Sequence, residues 1–203
     1  MISGNLFIIT AASGAGKTTL VNALLARHTQ IKKSVSHTTR APRAGEEDGL
    51  DYYFVTETQF LEILNAGGFL ESANVFGAKY GTSQSAVDTA LQAGLDVILE
   101  IDWQGAAQVR QLYPQATSIF ILPPSVETLN ERLNGRGLDS AEVIAKRLAV
   151  AREDMRHMVE FDYVIINDNF DGALQDLAAV IRTQRLTLNQ QAQRHATLIQ
   201  NLT

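Results

Sequence analysis

Hydrophobic positions along the chain follow two periods, and the switches between them predict the elements. Leu6–Thr10 (LFIIT) is a short apolar run with β-branched residues, which predicts a buried strand. A Gly/Ala/Ser segment follows, and then Leu20, Val21, Leu24 and Leu25 repeat at helical spacing. The same rhythm returns later. A helix is predicted from about Ser85 to Ala93, stopped by Gly94, before the apolar run Leu95–Ile101 (LDVILEI). A short helix is expected after Asp102, and Ser118–Leu122 (SIFIL) reads as a third strand, ended by Pro123 and Pro124. Residues 125–160 predict two helices around an RGL turn. Ser125 stands as N-cap of the first, and Asp139 with Glu142 as a capping box for the second. Tyr163–Ile166 (YVII) is a fourth strand, and the remaining chain reads as helical with a Gln-rich polar end.

Residues 32–55 break this rhythm. They are polar and turn-rich, with Pro42, Gly45 and Gly49, and end in YYFV, so short strands and loops are expected. Thr56 and Gln59 have capping-box spacing ahead of Phe60, Leu61, Ile63 and Leu64, and Gly67 and Gly68 close that helix. Residues 69–82 predict further short strands with a turn around Gly77 and Gly81. Strands alternating with helices imply an α/β fold with a central parallel sheet and right-handed crossovers. The break at 33–85 implies an insertion with its own small sheet. No internal repeat or low-complexity linker interrupts the chain.

Composition narrows the picture. The 203 residues are 45% hydrophobic and 19% charged, which suits one domain with a real core. The formal net charge of −5 argues against a general nucleic-acid coat, yet a few placed arginines can still bind a small anion. The chain has no cysteine, which removes disulfides, thiolate zinc sites and thiol catalysis. MISGNLFIIT has neither a basic n-region nor a cleavage site, and no apolar run approaches the roughly 18 residues of a membrane span. The expectation is a cytoplasmic protein without membrane or nucleic-acid partners. The four histidines have no ligand spacing and read as surface or structural.

The segment Ala11-Ala12-Ser13-Gly14-Ala15-Gly16-Lys17-Thr18 matches the P-loop pattern G-x-x-x-x-G-K-[ST] except that Ala11 replaces the first glycine. Glycines let successive backbone N–H groups turn inward around phosphate oxygens, and the helix that follows adds free donors and a favourable dipole. Lys17 is placed to reach the outer phosphates, and Thr18 offers a hydroxyl to Mg²⁺. A P-loop alone does not name a reaction.

Four further groups of residues carry candidate chemistry. Ser36-His37-Thr38-Thr39-Arg40-Ala41-Pro42-Arg43 presents arginine forks and hydroxyls suited to a phosphomonoester, or equally a solvated basic loop. Tyr52, Tyr80 and Glu71 follow, and a carboxylate such as Glu71 can accept the paired ring N–H and exocyclic amine that guanine presents and adenine does not. Glu100 and Asp102 end an apolar strand, on one face by alternation; Asp102 reads as functional, and Glu100 as a ligand-facing or a buried, paired acid. The segment around Arg132 and Arg136, with Arg147, resembles a mobile helical lid bringing cations to a phosphoryl group. Arg152 and Arg156, alternating with Glu153 and Asp154, read as surface ion pairs.

Together these segments resemble the guanylate kinases of the bacterial type, from about Asn5 to beyond Arg182. The markers, in order, are SGAGKTT, SVSHTTRAPRAGE, GLDYYFV, FLESANVFGAKYGTS, EIDWQG, IFILPPS, RLNGRG and VIIND. The resemblance implies a P-loop NTPase three-layer sandwich with an inserted α/β GMP-binding subdomain at 33–85, a helical lid at 125–160, and a core formed by 1–32, 86–124 and 161–203. It implies transfer of the γ-phosphoryl group of ATP to GMP, and to dGMP, with Mg²⁺. Ala12, Ser13, Gly14, Ala15, Gly16, Lys17, Thr18 and Thr19 would hold ATP, Thr18 the metal. Arg136 and Asn167 would border the adenine. Ser36, Arg40, Arg43, Tyr52 and Tyr80 would hold the GMP phosphate. Glu71, Thr82 and Asp102 would read the guanine edge, with Glu100 nearby. Lys17, Arg40, Arg136 and Arg147 would neutralise the transferred group. Thr82 and Glu100 stand where the family often has serine and aspartate. The alternatives are a P-loop kinase acting on a ribose bisphosphate and a non-catalytic guanylate-kinase-like binding module; the oligomeric state stays open.

Overall fold

The computed structural model describes residues 4–75, 77–134 and 141–202. The alternation in LFIITA builds its centre. Strand β1 (Leu6–Ala11) pairs in parallel with β7 (Asp96–Glu100) on one side and β8 (Thr117–Leu122) on the other. Strand β2 (Ile31–Lys33) lies outside β7, and β9 (Tyr163–Ile166) outside β8, giving the order β2-β7-β1-β8-β9, all parallel. The period of two sends Phe7 and Ile9 to one face, where they meet α1 (Lys17–Leu25) and α7 (Phe170–Arg185). Leu6 and Ile8 turn to the other face, against α3 (Gln84–Gln92) and α4 (Trp103–Leu112). The result is three layers with both faces of the sheet covered, as a parallel sheet requires. Strand β2 was not foreseen as part of this sheet: it is three residues long and buries only Ile31, too little for a periodic signal.

A second sheet forms from β3 (His37–Thr38), β4 (Tyr53–Phe54), β5 (Phe69–Val75) and β6 (Ala78–Ser83), in the order β4-β3-β6-β5. Helix α2 (Glu57–Asn65) enters through the expected capping box. Thr56 Oγ1 accepts from the Gln59 backbone N–H at 3.3 Å, and the Gln59 side chain accepts from the Thr56 N–H at 2.9 Å. Gly77 makes the β5–β6 turn at φ +80°. Gly81 is not part of a turn, contrary to the sequence expectation; it lies inside β6. A Cβ there would fall 2.9 Å from Phe69 Cγ, so this glycine lets the Phe69 ring cross the strand.

Helices α5 (Val126–Asn134) and α6 (Ala141–Arg156) follow β8 and pack Leu129, Leu133 and Ala151 against Ala12. Ser125 caps α5, its Oγ accepting from the Thr128 N–H at 3.1 Å. The turn at 136–138, with Arg136, and Asp139 of the anticipated capping box lie outside the described residues. A 3₁₀ turn, His157–Glu160, leads into β9, and α8 (Leu188–Arg194) and α9 (Ala196–Leu202) close the chain. Among the described residues, no helix is long and apolar enough to cross a membrane.

Candidate active site

The phosphate-loop segment joins β1 to α1. Ala11 is still strand, paired with Ile121 of β8, so the position where the motif has its first glycine needs no glycine here. Gly14 and Gly16 do need theirs. Both have positive φ, +91° and +94°, and a Cβ on Gly16 would lie 2.4 Å from the Asn167 side-chain nitrogen. The loop is braced from behind. Asn167, buried just past β9, donates through Nδ2 to the Ala15 carbonyl at 2.7 Å. Arg132 of α5 donates to the Asn167 carbonyl at 3.0 Å and to the Ala15 carbonyl at 3.5 Å.

Lys17 is half-buried, and its Nζ donates to the Ile101 carbonyl at 3.4 Å. Burial lowers its pKa, while the carboxylates of Glu100, Asp102, Glu71 and Asp154 act in the opposite direction. Thr18 Oγ1 donates to Glu100 Oε2 at 2.9 Å, and Glu100 Oε1 is buried with no hydrogen-bond partner. Glu100 is therefore both paired and oriented into the space beside the loop.

The second sheet brings the other carboxylate. Glu71 on β5 is buried and accepts from Thr82 Oγ1 at 2.6 Å; the Ser36 and Thr82 hydroxyls lie 3.3 Å apart. Burial pushes its pKa up to about 7; the Thr82 hydrogen bond opposes this and nearby Asp102 adds to it. Asp102 caps α4, with Oδ1 accepting from the Gly105 N–H at 2.9 Å and Oδ2 from the Gln104 amide at 3.1 Å. From α6, Asp154 faces the same space; burial raises its pKa, and a hydrogen bond from the Trp103 indole opposes the rise. The Trp103 ring stacks on His157 at a centroid distance of 3.7 Å and an interplanar angle of 6°, which fixes the end of α6 to the start of α4.

Arg40 is held on three sides. Its Nη2 pairs with Glu46 Oε1 at 2.9 Å, its Nε donates to the Tyr80 hydroxyl at 3.3 Å, and its Nη1 donates to the Ala41 carbonyl at 2.7 Å. The guanidinium also lies 5.4 Å from the centre of the Tyr52 ring. Glu46 Oε2 accepts the Arg43 backbone N–H at 2.7 Å, so one carboxylate organises both arginines.

One cavity of about 640 Å³ unites these groups. Of the residues expected from the sequence, Ala12, Ser13, Gly14, Gly16, Lys17, Thr18, Thr19 and Asn167 line it from the core side. Ser36, Arg43, Tyr52, Glu71, Tyr80, Glu100 and Asp102 complete its wall. Ala15 faces back toward Asn167, and Thr82 lies behind Glu71. Arg40 and the half-buried Arg147 are outside this lining, and Arg136 is outside the described residues. A smaller cavity of about 220 Å³ adjoins it, sharing Thr18, Ser36, Arg43, Tyr52 and Glu100.

Several lining residues were passed over in the sequence. Asp154 was read as a surface ion-pair residue; Arg156 and Glu153 do pair on the surface at 2.8 Å, but Asp154 turns inward. A run of alternating charges gives no sign of which member points inward. Arg132 lay in a marked segment, yet its bracing of the loop depends on Asn167, 35 residues away. Glu46 also sits in a marked segment, three residues after Arg43, and only the fold shows what it holds.

A phosphate cradle thus faces a buried carboxylate across a single cavity. A family model described as guanylate kinase matches residues 3–184. The chain belongs to the guanylate kinase family. A guanylate kinase of Methylobacillus flagellatus is 65% identical over 201 residues, covering 99% of this chain and 100% of that protein. A guanylate kinase of Escherichia coli is 53% identical over 206 residues, covering 100% and 99%. The crystal structure of guanylate kinase from Anaplasma phagocytophilum aligns with a TM-score of 0.78 at 32% identity, over 93% of this chain and 89% of that one. The central parallel sheet flanked by helices is accordingly the guanylate kinase fold of the P-loop α/β class.

Proposed function

We propose that this protein transfers the γ-phosphoryl group of ATP to GMP, giving ADP and GDP. The observation that carries the reading is Glu71: a carboxylate fixed by Thr82 in a buried pocket, across one cavity from the phosphate loop. Glu71 accepts the ring N–H and exocyclic amine of guanine, with Asp102 beside it on the cavity wall and Thr82 holding the carboxylate from behind. Ser36, Arg43, Tyr52 and Tyr80 hold the GMP phosphate, and Arg40, positioned by Glu46, adds charge beside it. The backbone of 12–19 holds the triphosphate of ATP.

A GMP phosphate oxygen is already a nucleophile, so no general base is required. Its lone pair forms the new bond to the γ-phosphorus as the bond to the bridging oxygen of ATP breaks, and ADP leaves with that electron pair. The enzyme's task is to align two anions and offset their repulsion. Lys17 supplies charge at the transferred group; burial lowers its pKa, and the surrounding carboxylates, joined by phosphates once bound, act in the opposite direction to keep it protonated. Arg136 and Arg147, in the segment assigned to the lid, supply the remaining positive charge. Residues 33–85 act as the GMP-binding insertion, 125–160 as the lid, and 1–32, 86–124 and 161–203 as the core. The Thr18 hydroxyl and the unpartnered Glu100 Oε1 are hard oxygen donors beside the loop and suit Mg²⁺. When bound, Mg²⁺ neutralises phosphate charge. Soluble nucleotide substrates favour a cytoplasmic setting.

Coupled ADP release, with ATP and a panel of GMP, dGMP, AMP, UMP and a ribose bisphosphate, tests the proposal. Strong turnover is expected with GMP and little with AMP; no turnover with GMP overturns it. Lys17→Met is expected to abolish turnover while GMP still binds.

A further inference from the structure

Gly105 lies inside α4, three residues after its cap, where helix propensity alone would favour alanine. Its φ is ordinary, so backbone conformation does not demand glycine. The contact that does is with Glu71. A Cβ on Gly105 would fall 2.5 Å from Glu71 Oε2 and 3.1 Å from its carboxyl carbon, well inside van der Waals contact. The next neighbour, Ile101 Cβ, is at an ordinary 3.4 Å. The missing side chain therefore serves one neighbour, and that neighbour is the carboxylate of the cavity.

Glu71 is pinned from two directions. Thr82 donates to Oε1, and Oε2 rests over the bare face of α4, whose Gly105 N–H is already committed to Asp102. Gly105 thus sets the depth to which the carboxylate sinks, and Asp102 is registered to the same turn of helix. We propose that Gly105 is a positioning residue for nucleobase selectivity: by lacking a side chain it seats Glu71 where one carboxylate can accept both donors of a guanine. This rests on the reading of Glu71 given above. A methyl at 105 pushes the carboxylate toward the cavity, off its Thr82 bond, and into the space of the base. The clash is with the movable end of a side chain, so the fold accommodates it and the geometry of recognition does not.

The test uses the full-length enzyme and variants Gly105→Ala, Glu71→Ala, Glu71→Asp and the double variant Gly105→Ala/Glu71→Asp. KM and kcat are measured for GMP, for inosine monophosphate, which lacks the exocyclic amine, and for ATP, with Tm alongside. Gly105→Ala is expected to raise KM for GMP about tenfold or more, the scale of a lost hydrogen bond to a charged group. It should also shrink the preference for GMP over inosine monophosphate, and leave KM for ATP and Tm close to wild type. In the Glu71→Asp background, where the carboxylate is one methylene shorter, Gly105→Ala should cost far less. An unchanged GMP preference in Gly105→Ala, a Gly105→Ala protein that fails to fold, or additive effects in the double variant overturns the inference. If Glu71→Ala itself leaves KM for GMP unchanged, the reading of Glu71 fails, and this inference with it.

Discussion

Glu71 is subject to two opposing demands. Burial disfavours its charge and raises its pKa from the ordinary 4.5 to about 7, whereas the guanine recognition proposed for it needs it ionised. The native state binds the extra proton between those two values, so ligand-free stability falls as pH rises from about 4.5 to about 7. Above pH 7 the full penalty is present, on the order of 3 kcal/mol. Glu71→Gln removes it. Thermal unfolding without nucleotide should show the variant gaining on wild type between pH 5 and pH 8; a gap that does not change with pH would contradict the burial argument. Guanine reverses the balance by donating to the ionised form, so KM for GMP should fall as pH rises through 7, more steeply in wild type than in Glu71→Gln. The sequence marked Glu71 as a carboxylate able to accept the paired donors of guanine. Its raised pKa was not legible there, because it depends first on burial where β5 meets α4, and then on Asp102, 31 positions away.

At the scale of elements, periodicity was sufficient wherever a segment buries a continuous stripe. LFIITA, SIFIL and the capping box at Thr56 and Gln59 all appear close to where the pattern put them. Short elements escaped, as β2 did, because three residues hold no period. Glycine was ambiguous: Gly77 makes a turn, while Gly81 makes room for Phe69. The phosphate loop gains most from the structure. Ala11 matters little because it is strand, and the loop's shape depends instead on Asn167 and Arg132 holding the Ala15 carbonyl. Motif residues form the loop, but residues from α5 and the end of β9 hold it in place. Asn167→Ala should therefore raise KM for ATP by roughly tenfold, in line with a lost buried hydrogen bond and a loosened loop. KM for GMP should change little, since the opposite wall is untouched. Steady-state kinetics with each substrate varied in turn would show this; equal losses for both would mean the brace serves the whole cavity.

Across the whole molecule, the central sheet divides its work between its two ends. Strand β7 starts at Asp96, which is buried, and finishes at Glu100 beside the phosphate loop, with Asp102 just beyond. At the start, Asp96 Oδ1 accepts from the Asn5 backbone N–H at 2.9 Å and from its side chain at 3.0 Å. Its Oδ2 pairs with Arg185 Nε at 2.5 Å, at the end of α7, and Gln190 of α8 donates to Asn5 at 3.0 Å. One buried carboxylate thus joins the first strand, the sheet and the C-terminal helices. None of this was legible along the chain, since Asp96 stands there as a polar interruption of an apolar run and its partners lie up to 91 positions away. Arg185→Ala leaves Asp96 buried with its Asn5 contacts intact, so the loss is that of the charge-assisted bond to Asp96 and a long one to the Gln30 carbonyl at 3.4 Å, together about 2 kcal/mol. For a chain of this length Tm should fall by about 4–8 °C. Because the cluster sits at the opposite end of the strands from the cavity, KM for ATP and for GMP should both remain at wild-type values below the unfolding transition. A kinetic change without a stability change would mean that β7 transmits strain along its length, and that the two ends are not independent.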